Sequence, residues 1–135
     1  MEYLARTDYL KLSKAKQKEH DKQWALHQLS DIKPNDTIYT IVKHRSNSGV
    51  SRDIGVYRIV EGKLQDISYF VSKILGWSLA KNGGVKVSGC GMDIGFHLVY
   101  SLSWALFPDG TIEPHGIRNG EPDTNGGYAL KQVWL

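Results

Sequence analysis

Two stretches in the first half of the chain have the apolar and polar pattern of β-strands. Residues 37–42 (TIYTIV) and 53–60 (DIGVYRIV) are rich in β-branched and aromatic side chains, which favour extended backbone. A polar stretch, residues 44–52, lies between them. Two strand-like runs joined by a polar loop predict an antiparallel hairpin.

The same pattern predicts three helices around the hairpin. The chain before Pro34 contains no glycine or proline and is rich in helix-forming residues. Residues 67–78 place apolar side chains at helical intervals after Asp66, a suitable cap, and the glycines within 82–84 predict the end of that helix. Residues 96–107 are apolar on nearly every side, which is typical of a helix in the centre of a core.

These elements predict an α+β fold, with an N-terminal helix and an antiparallel hairpin or small sheet packed on a buried central helix. A short strand at 85–87 leads to that helix, and residues 127–135 form an element that docks back on the core. The length of 135 residues suits one domain with a substantial core. We therefore expect a single domain over 1–135, with a helical extension at 1–33 and a core at 36–135.

Composition limits where such a protein works. Cys90 is the single cysteine, so no intramolecular disulfide can form, which suits a reducing compartment. The N-terminus lacks the pattern of a secretory signal, and Asp93 and His97 interrupt the longest apolar stretch, residues 92–107. The net charge of +3 is mild. We expect a cytoplasmic protein that does not enter membranes and can accept an anionic partner.

A glycine-rich turn, residues 89–95 (GCGMDIG), precedes the predicted core helix. Its glycines, Gly89 and Gly91 among them, allow the backbone to come close to a ligand. The start of a helix also offers unpaired N–H groups and a positive dipole end to an anion. The spacing matches neither a P-loop nor a dinucleotide-binding fingerprint. A tight packing corner is the alternative interpretation.

Cys90 and His97 permit an enzymatic interpretation. A cysteine just before a helix has its thiolate stabilised by the helix dipole, and Asp93 can orient an imidazole or cap the helix. The alternative is an unreactive buried cysteine with His97 in the core. Cys90 and His97 alone do not make a metal site, so we expect no metal and no cofactor.

The hairpin loop is the second candidate for anion binding. It concentrates arginines with hydroxyl, amide and imidazole groups in a short span. The candidate ligand-binding residues here are His44, Arg45, Ser46, Ser48, Ser51 and Arg52. Arginine binds phosphate through two parallel hydrogen bonds, and small polar groups complete the site. A solvated loop is the alternative.

Four lysines, Lys11, Lys14, Lys18 and Lys22, share one face of the predicted N-terminal helix. Such a stripe is usual for a solvated helix face, and a surface that contacts nucleic acid is the alternative.

Several motifs occur in an order that resembles a family of small accessory proteins of tailed phages and prophages. They are SGVSR at 48–52, ISYFV at 67–71, GCGMDIGFHLVY at 89–100 and GYAL at 127–130. The resemblance covers residues 38–135, leaves the N-terminal helix outside, and implies no catalytic residue. Some longer members carry an additional Cys- and His-containing stretch before the last motif, whereas residues 109–124 of this chain have only His115 and no cysteine, which argues against a metal role.

The resemblance implies an accessory protein acting in the cytoplasm of an infected bacterium. Together with the two anion-suited segments, it leads us to expect a non-enzymatic protein that binds a phosphate-bearing ligand, a nucleotide, and thereby counters a host defence. The alternatives are a protein–protein inhibitor of a host factor such as a nuclease, and a cysteine-dependent enzyme using Cys90 and His97. Nucleic acid is a further alternative partner.

Overall fold

The chain folds as an α+β protein in a computed structural model that describes residues 2–33, 36–45, 51–81, 83–88, 94–108, 117–118, 121–122 and 129–134. The fold class predicted from the sequence is confirmed. The elements of these residues, in chain order, are α1 (Arg6–Leu10), α2 (Lys14–Gln28), β1 (Thr37–Arg45), β2 (Ser51–Val60), β3 (Lys63–Asp66), α3 (Ser68–Leu75), β4 (Val85–Ser88), α4 (Ile94–Leu106), β5 (Ile117–Arg118), β6 (Glu121–Pro122) and β7 (Ala129–Trp134).

The N-terminal region forms two helices and not the single helix that its composition predicted. Ser13 separates them, because its side chain accepts a hydrogen bond from the backbone N–H of Lys16 at 3.3 Å and so caps α2. Lys11 therefore lies outside α2, with its Nζ 3.9 Å from a carboxylate oxygen of Asp8. The predicted lysine stripe is reduced to Lys14, Lys18 and Lys22.

A mixed sheet forms the centre of the molecule. Its strand order is β3-β2-β1-β7, and β4 pairs with the first half of β2 while β3 pairs with the second half. The β1–β2 hairpin is antiparallel, as predicted, whereas β7 runs parallel to β1. Strands β5 and β6 form a separate two-stranded sheet.

The hairpin between β2 and β3 was not predicted. Glu61 and Gly62 connect these strands with φ angles of 51° and 76°. Positive φ at both central residues is the geometry of a tight hairpin turn that matches the twist of its strands. The predicted strand ended at Val60, before Glu61-Gly62, and no partner strand was predicted after these two residues.

Helix α3 begins at Ser68 and ends earlier than expected. Its N-cap position is Ile67, which makes no side-chain capping bond, and the predicted cap Asp66 lies one residue earlier. The carboxylate of Asp66 accepts a hydrogen bond from the N–H of Ser68 at 2.9 Å. The helix stops at Leu75, because Gly76 adopts a left-handed conformation with φ 69°. The predicted end at 82–84 was wrong. The chain after Gly76 instead forms a bridge between Leu79 and Val85 beside β4.

The core lies between the helices and one face of the sheet. Helix α4 packs against α3, β4 and β7, and its Leu98 and Leu102 are fully buried. Its apolar surface is not buried all round, since Trp104 is 43% exposed. Ala25 of α2 and Leu29, the residue that caps the C-terminus of α2, belong to the same core. Within the described residues, no helix has the length and apolarity needed to span a membrane.

Candidate functional site

The far end of the β1–β2 hairpin carries four of the predicted ligand-binding residues. His44 and Arg45 end β1, and Ser51 and Arg52 begin β2; the structure describes the backbone of these four residues. Arg45 and Arg52 are direct partners across the two strands. Residues directly opposite in an antiparallel pair lie on the same face, with Cβ atoms about 4.5–5.5 Å apart.

A β-bulge creates this arginine pair. The register shifts between Val42 and His44, so that Lys43 is an extra residue on β1. Without the shift, Arg52 would stand opposite His44. With it, two arginines occupy opposing positions.

Strand alternation places Arg52 on the same face of β2 as Ile54 and Val56. Both of these residues are fully buried in the core. The arginine pair therefore occupies register positions on the side of the sheet that carries the core.

Strand β4 brings the start of the glycine turn to the same end of the sheet. Ser51 pairs with Ser88, and Arg52 pairs with Val87. Ser88 directly precedes Gly89, and α4 begins at Ile94 and packs against β4. Segments that are distant in the sequence, the hairpin and the entry to the core helix, thus adjoin through the sheet.

The other predicted site residues are placed as follows. His97 is the fourth residue of α4, and its backbone is described. Ser46, Ser48, Gly89, Cys90, Gly91 and Asp93 lie outside the described residues. The roles of Cys90, Asp93 and His97 in catalysis, and of the turn in ligand binding, stay predictions.

Arg45 and Arg52, two residues with permanent positive charge, occupy opposing register positions. Like charges directly opposite each other in a sheet destabilise it, and arginine stays protonated at every accessible pH. A phosphate between two guanidinium groups removes that repulsion through charge-assisted hydrogen bonds. We expect this end of the sheet to bind anions.

Sequence reasoning missed a polar cluster around Asp21. The carboxylate of Asp21, only 8% exposed, accepts hydrogen bonds from the hydroxyls of Tyr3 at 2.6 Å and Tyr9 at 2.8 Å. Its helical spacing with Ala25 and Leu29, four and eight residues later, placed it on the buried face of α2 and was a usable signal.

This cluster changes the protonation of the tyrosines. Removal from water, together with the hydrogen bond to Asp21, raises the pKa of Tyr3. The hydrogen bond to Asp21 is the main reason that the pKa of Tyr9 is also raised. Both hydroxyls therefore keep their protons as donors to the carboxylate at neutral pH.

In the part of the chain that the structure describes, no group of three or more His, Cys, Asp and Glu residues is arranged to hold a metal ion. No family model matches the chain, and comparisons with curated proteins and with solved structures find no match either.

Proposed function

We propose that this protein binds a phosphate-bearing ligand, a nucleotide, at the end of the sheet where β1 ends and β2 begins. The proposal is a binding function and assigns no chemical step to the protein.

The main support for phosphate binding is the pairing of Arg45 with Arg52 across β1 and β2. Like charges at directly opposing strand positions destabilise a sheet, and a bound anion offsets their repulsion. Phosphate is such an anion and matches the guanidinium geometry, because each guanidinium donates two parallel hydrogen bonds to phosphate oxygens.

The neighbouring elements supply further groups for the same ligand. The pairing of Ser51 with Ser88 sets the hydroxyl-bearing start of β2 beside the entry to the glycine turn. Helix α4 starts a few residues later, at Ile94, and the N-terminus of a helix attracts anions through its unpaired N–H groups and dipole. The resemblance to phage accessory proteins extends the proposal to a host nucleotide signal that the protein sequesters.

Isothermal titration with inorganic phosphate, AMP and ATP tests the proposal. We expect the wild type to bind ATP more tightly than phosphate, because the nucleotide adds contacts beyond the phosphate. Arg52→Ala should weaken ATP binding about tenfold or more, since a charge-assisted hydrogen bond contributes roughly 1.5–3 kcal/mol. Analysis by mass spectrometry of small molecules released from the purified protein would identify a natural ligand.

Arg6→Ala is the matched control, because Arg6 is exposed at the start of α1 and should leave the affinity unchanged. A wild-type protein that binds neither phosphate, AMP nor ATP at millimolar concentration would overturn the proposal. So would an Arg52→Ala variant, shown to be folded by circular dichroism, that binds ATP like the wild type.

A further inference from the structure

A cleft is lined by residues of α2, of the C-terminal end of α3 and of β4. It consists of two adjoining cavities of about 190 and 430 Å³ that share Gly76 and Trp77. We call it the Trp77 cleft and define it by Lys18, Asp21, Lys73, Gly76, Trp77 and Lys86. None of these residues belongs to the arginine site.

The C-terminus of α3 places Trp77 between the two cavities. Gly76 turns the chain with a φ of 69°, and the N–H of Trp77 bonds the carbonyl of Ser72 at 3.0 Å. Trp77 is half-buried and packs against the core at one side. Trp77 thus both packs on the core and lines the two cavities.

Lysines line both of the cavities that share Trp77. Lys18 and Lys73 line the first cavity, and Lys86 lines the second. These lysines come from α2, α3 and β4, so the charge is spread along the cleft. The Nζ of Lys73 also lies 5.3 Å from the centroid of the Tyr69 ring, which is 47% exposed and adds a second aromatic surface.

Little acidic charge opposes these lysines. Among the described residues, none of the three forms an ion pair with a carboxylate. Asp21 also lines the first cavity, and its carboxylate, which accepts hydrogen bonds from Tyr3 and Tyr9, offsets one of the two lysine charges there. Asp53 stands opposite Lys86 in the β2–β4 register without an ion pair between them. The cleft therefore keeps a net positive character.

We propose that the Trp77 cleft binds single-stranded nucleic acid. One base stacks on the indole of Trp77, and the phosphates on its two sides contact Lys18 and Lys73 in one cavity and Lys86 in the other. This inference is independent of the proposed nucleotide site, since it depends on other residues and is tested by other variants.

The arrangement of the cleft favours a single strand over other anions. A small anion would engage the lysines of one cavity only, whereas a strand carries a phosphate on each side of every base. A duplex keeps its bases stacked inside and cannot offer one to a ring set in a cleft. Aromatic stacking combined with lysine contacts to the backbone is the usual basis of sequence-tolerant binding to single strands.

Fluorescence anisotropy with a labelled, mixed-sequence DNA or RNA strand tests whether the cleft binds single strands. A strand of about 12 nucleotides is suitable, because this length lies within the range that small single-strand-binding domains cover. At about 50 mM salt we expect the triple variant Lys18→Gln, Lys73→Gln, Lys86→Gln to bind at least tenfold more weakly than the wild type. The slope of log affinity against log salt should become shallower by about 0.7 for each phosphate that the variant no longer neutralises.

Trp77→Leu should weaken binding about five- to tenfold or more, because stacking on an aromatic side chain contributes about 1–3 kcal/mol per base. Its folding must be checked by circular dichroism, and the lysine variants provide the test if it does not fold. Lys63→Gln is the matched control, since Lys63 is exposed on β3, which pairs with the other half of β2.

The outcomes separate the two sites. If the triple lysine variant loses binding to the single strand but still binds ATP like the wild type, the result supports single-strand binding at the Trp77 cleft. This conclusion does not depend on the effect of Arg52→Ala on ATP binding. If the wild type binds neither the DNA strand nor the RNA strand at low salt, the inference is overturned. Equal affinity of the wild type and the triple lysine variant, or tighter binding of a duplex of the same sequence, also overturns it.

Discussion

At the scale of single residues, the clearest physical constraint is a carboxylate that the fold has taken out of water. Asp21 is nearly buried, and a buried carboxylate needs hydrogen-bond donors to offset the loss of hydration. Tyr3 and Tyr9 supply them from the N-terminal segment, and the Tyr3 ring also contacts Trp24 edge to face. The segment before α2 is thereby attached to the body of the protein.

This attachment should weaken at alkaline pH. In the unfolded chain these tyrosines ionise near pH 10.0, whereas in the folded protein their pKa is raised. Their contribution to stability is therefore complete below about pH 10 and is lost as the pH rises through the raised values. In urea unfolding, we expect the wild type to lose more stability between about pH 8 and pH 11 than the double variant Tyr3→Phe, Tyr9→Phe.

Tyrosine absorbance measured against pH gives an independent check. The double variant should lack the ionisation that occurs at the highest pH in the folded wild type. An identical loss of stability in both proteins would show that the hydroxyls do not stay protonated in the fold.

At the scale of elements, turns and caps decide where helices and strands end. Gly76 ends α3 although apolar helical spacing continues beyond it, because a left-handed residue redirects the chain. The Glu61–Gly62 turn shows the same principle in a hairpin. Gly62 adopts positive φ without steric cost, whereas Glu61 at φ 51° carries the strain of a side chain in that region.

Glu61→Asn should stabilise the protein. Asparagine tolerates the left-handed conformation better than glutamate, so we expect a gain of about 0.5–1 kcal/mol in the free energy of unfolding by urea denaturation. Gly62→Ala should lose about 1 kcal/mol although an added Cβ would have no heavy atom within 4 Å, because the strain is in the backbone. Destabilisation by Glu61→Asn would contradict this account of the turn.

At the scale of the whole molecule, one core joins the helices to the sheet. Leu102 of α4 is 0% exposed and belongs to the same cluster as Ile54 of β2 and Leu29, which directly follows α2. Residues from the beginning, middle and end of the described chain therefore share the energy of one packed interior.

Leu102→Ala should lower the free energy of unfolding by about 2–5 kcal/mol, because it removes buried methyl groups and leaves a cavity. Leu10→Ala is the matched control: Leu10 is 60% exposed, and the same substitution there should change stability by less than about 0.5 kcal/mol. Urea denaturation measures both. Leu102→Asp should prevent folding, since an unpaired charge in the core costs several kcal/mol. Similar effects of Leu102→Ala and Leu10→Ala would show that α4 is not part of the core.

Contacts between distant segments also form the two candidate sites. The sequence indicated their residue types but not all of their neighbours. The anion-suited composition of the hairpin end and of the glycine turn was visible in the sequence, and their adjacency was only a hypothesis. The pairing of Arg45 with Arg52 depends on a bulge at Lys43. The Trp77 cleft joins lysines from three elements, and no local motif links Lys18, Lys73 and Lys86.

The sequence by itself determined the elements whose signal is periodic and local. The β1–β2 hairpin and the helix at α4 follow from side-chain alternation and continuous apolarity, which act over a few neighbouring residues. Only the tertiary structure decided the partners of those elements. The pairing of β4 with β2, the parallel pairing of β7 with β1 and the burial of Asp21 depend on contacts between distant segments. Such contacts form where the total burial and hydrogen bonding of the chain are best, and no local pattern specifies them.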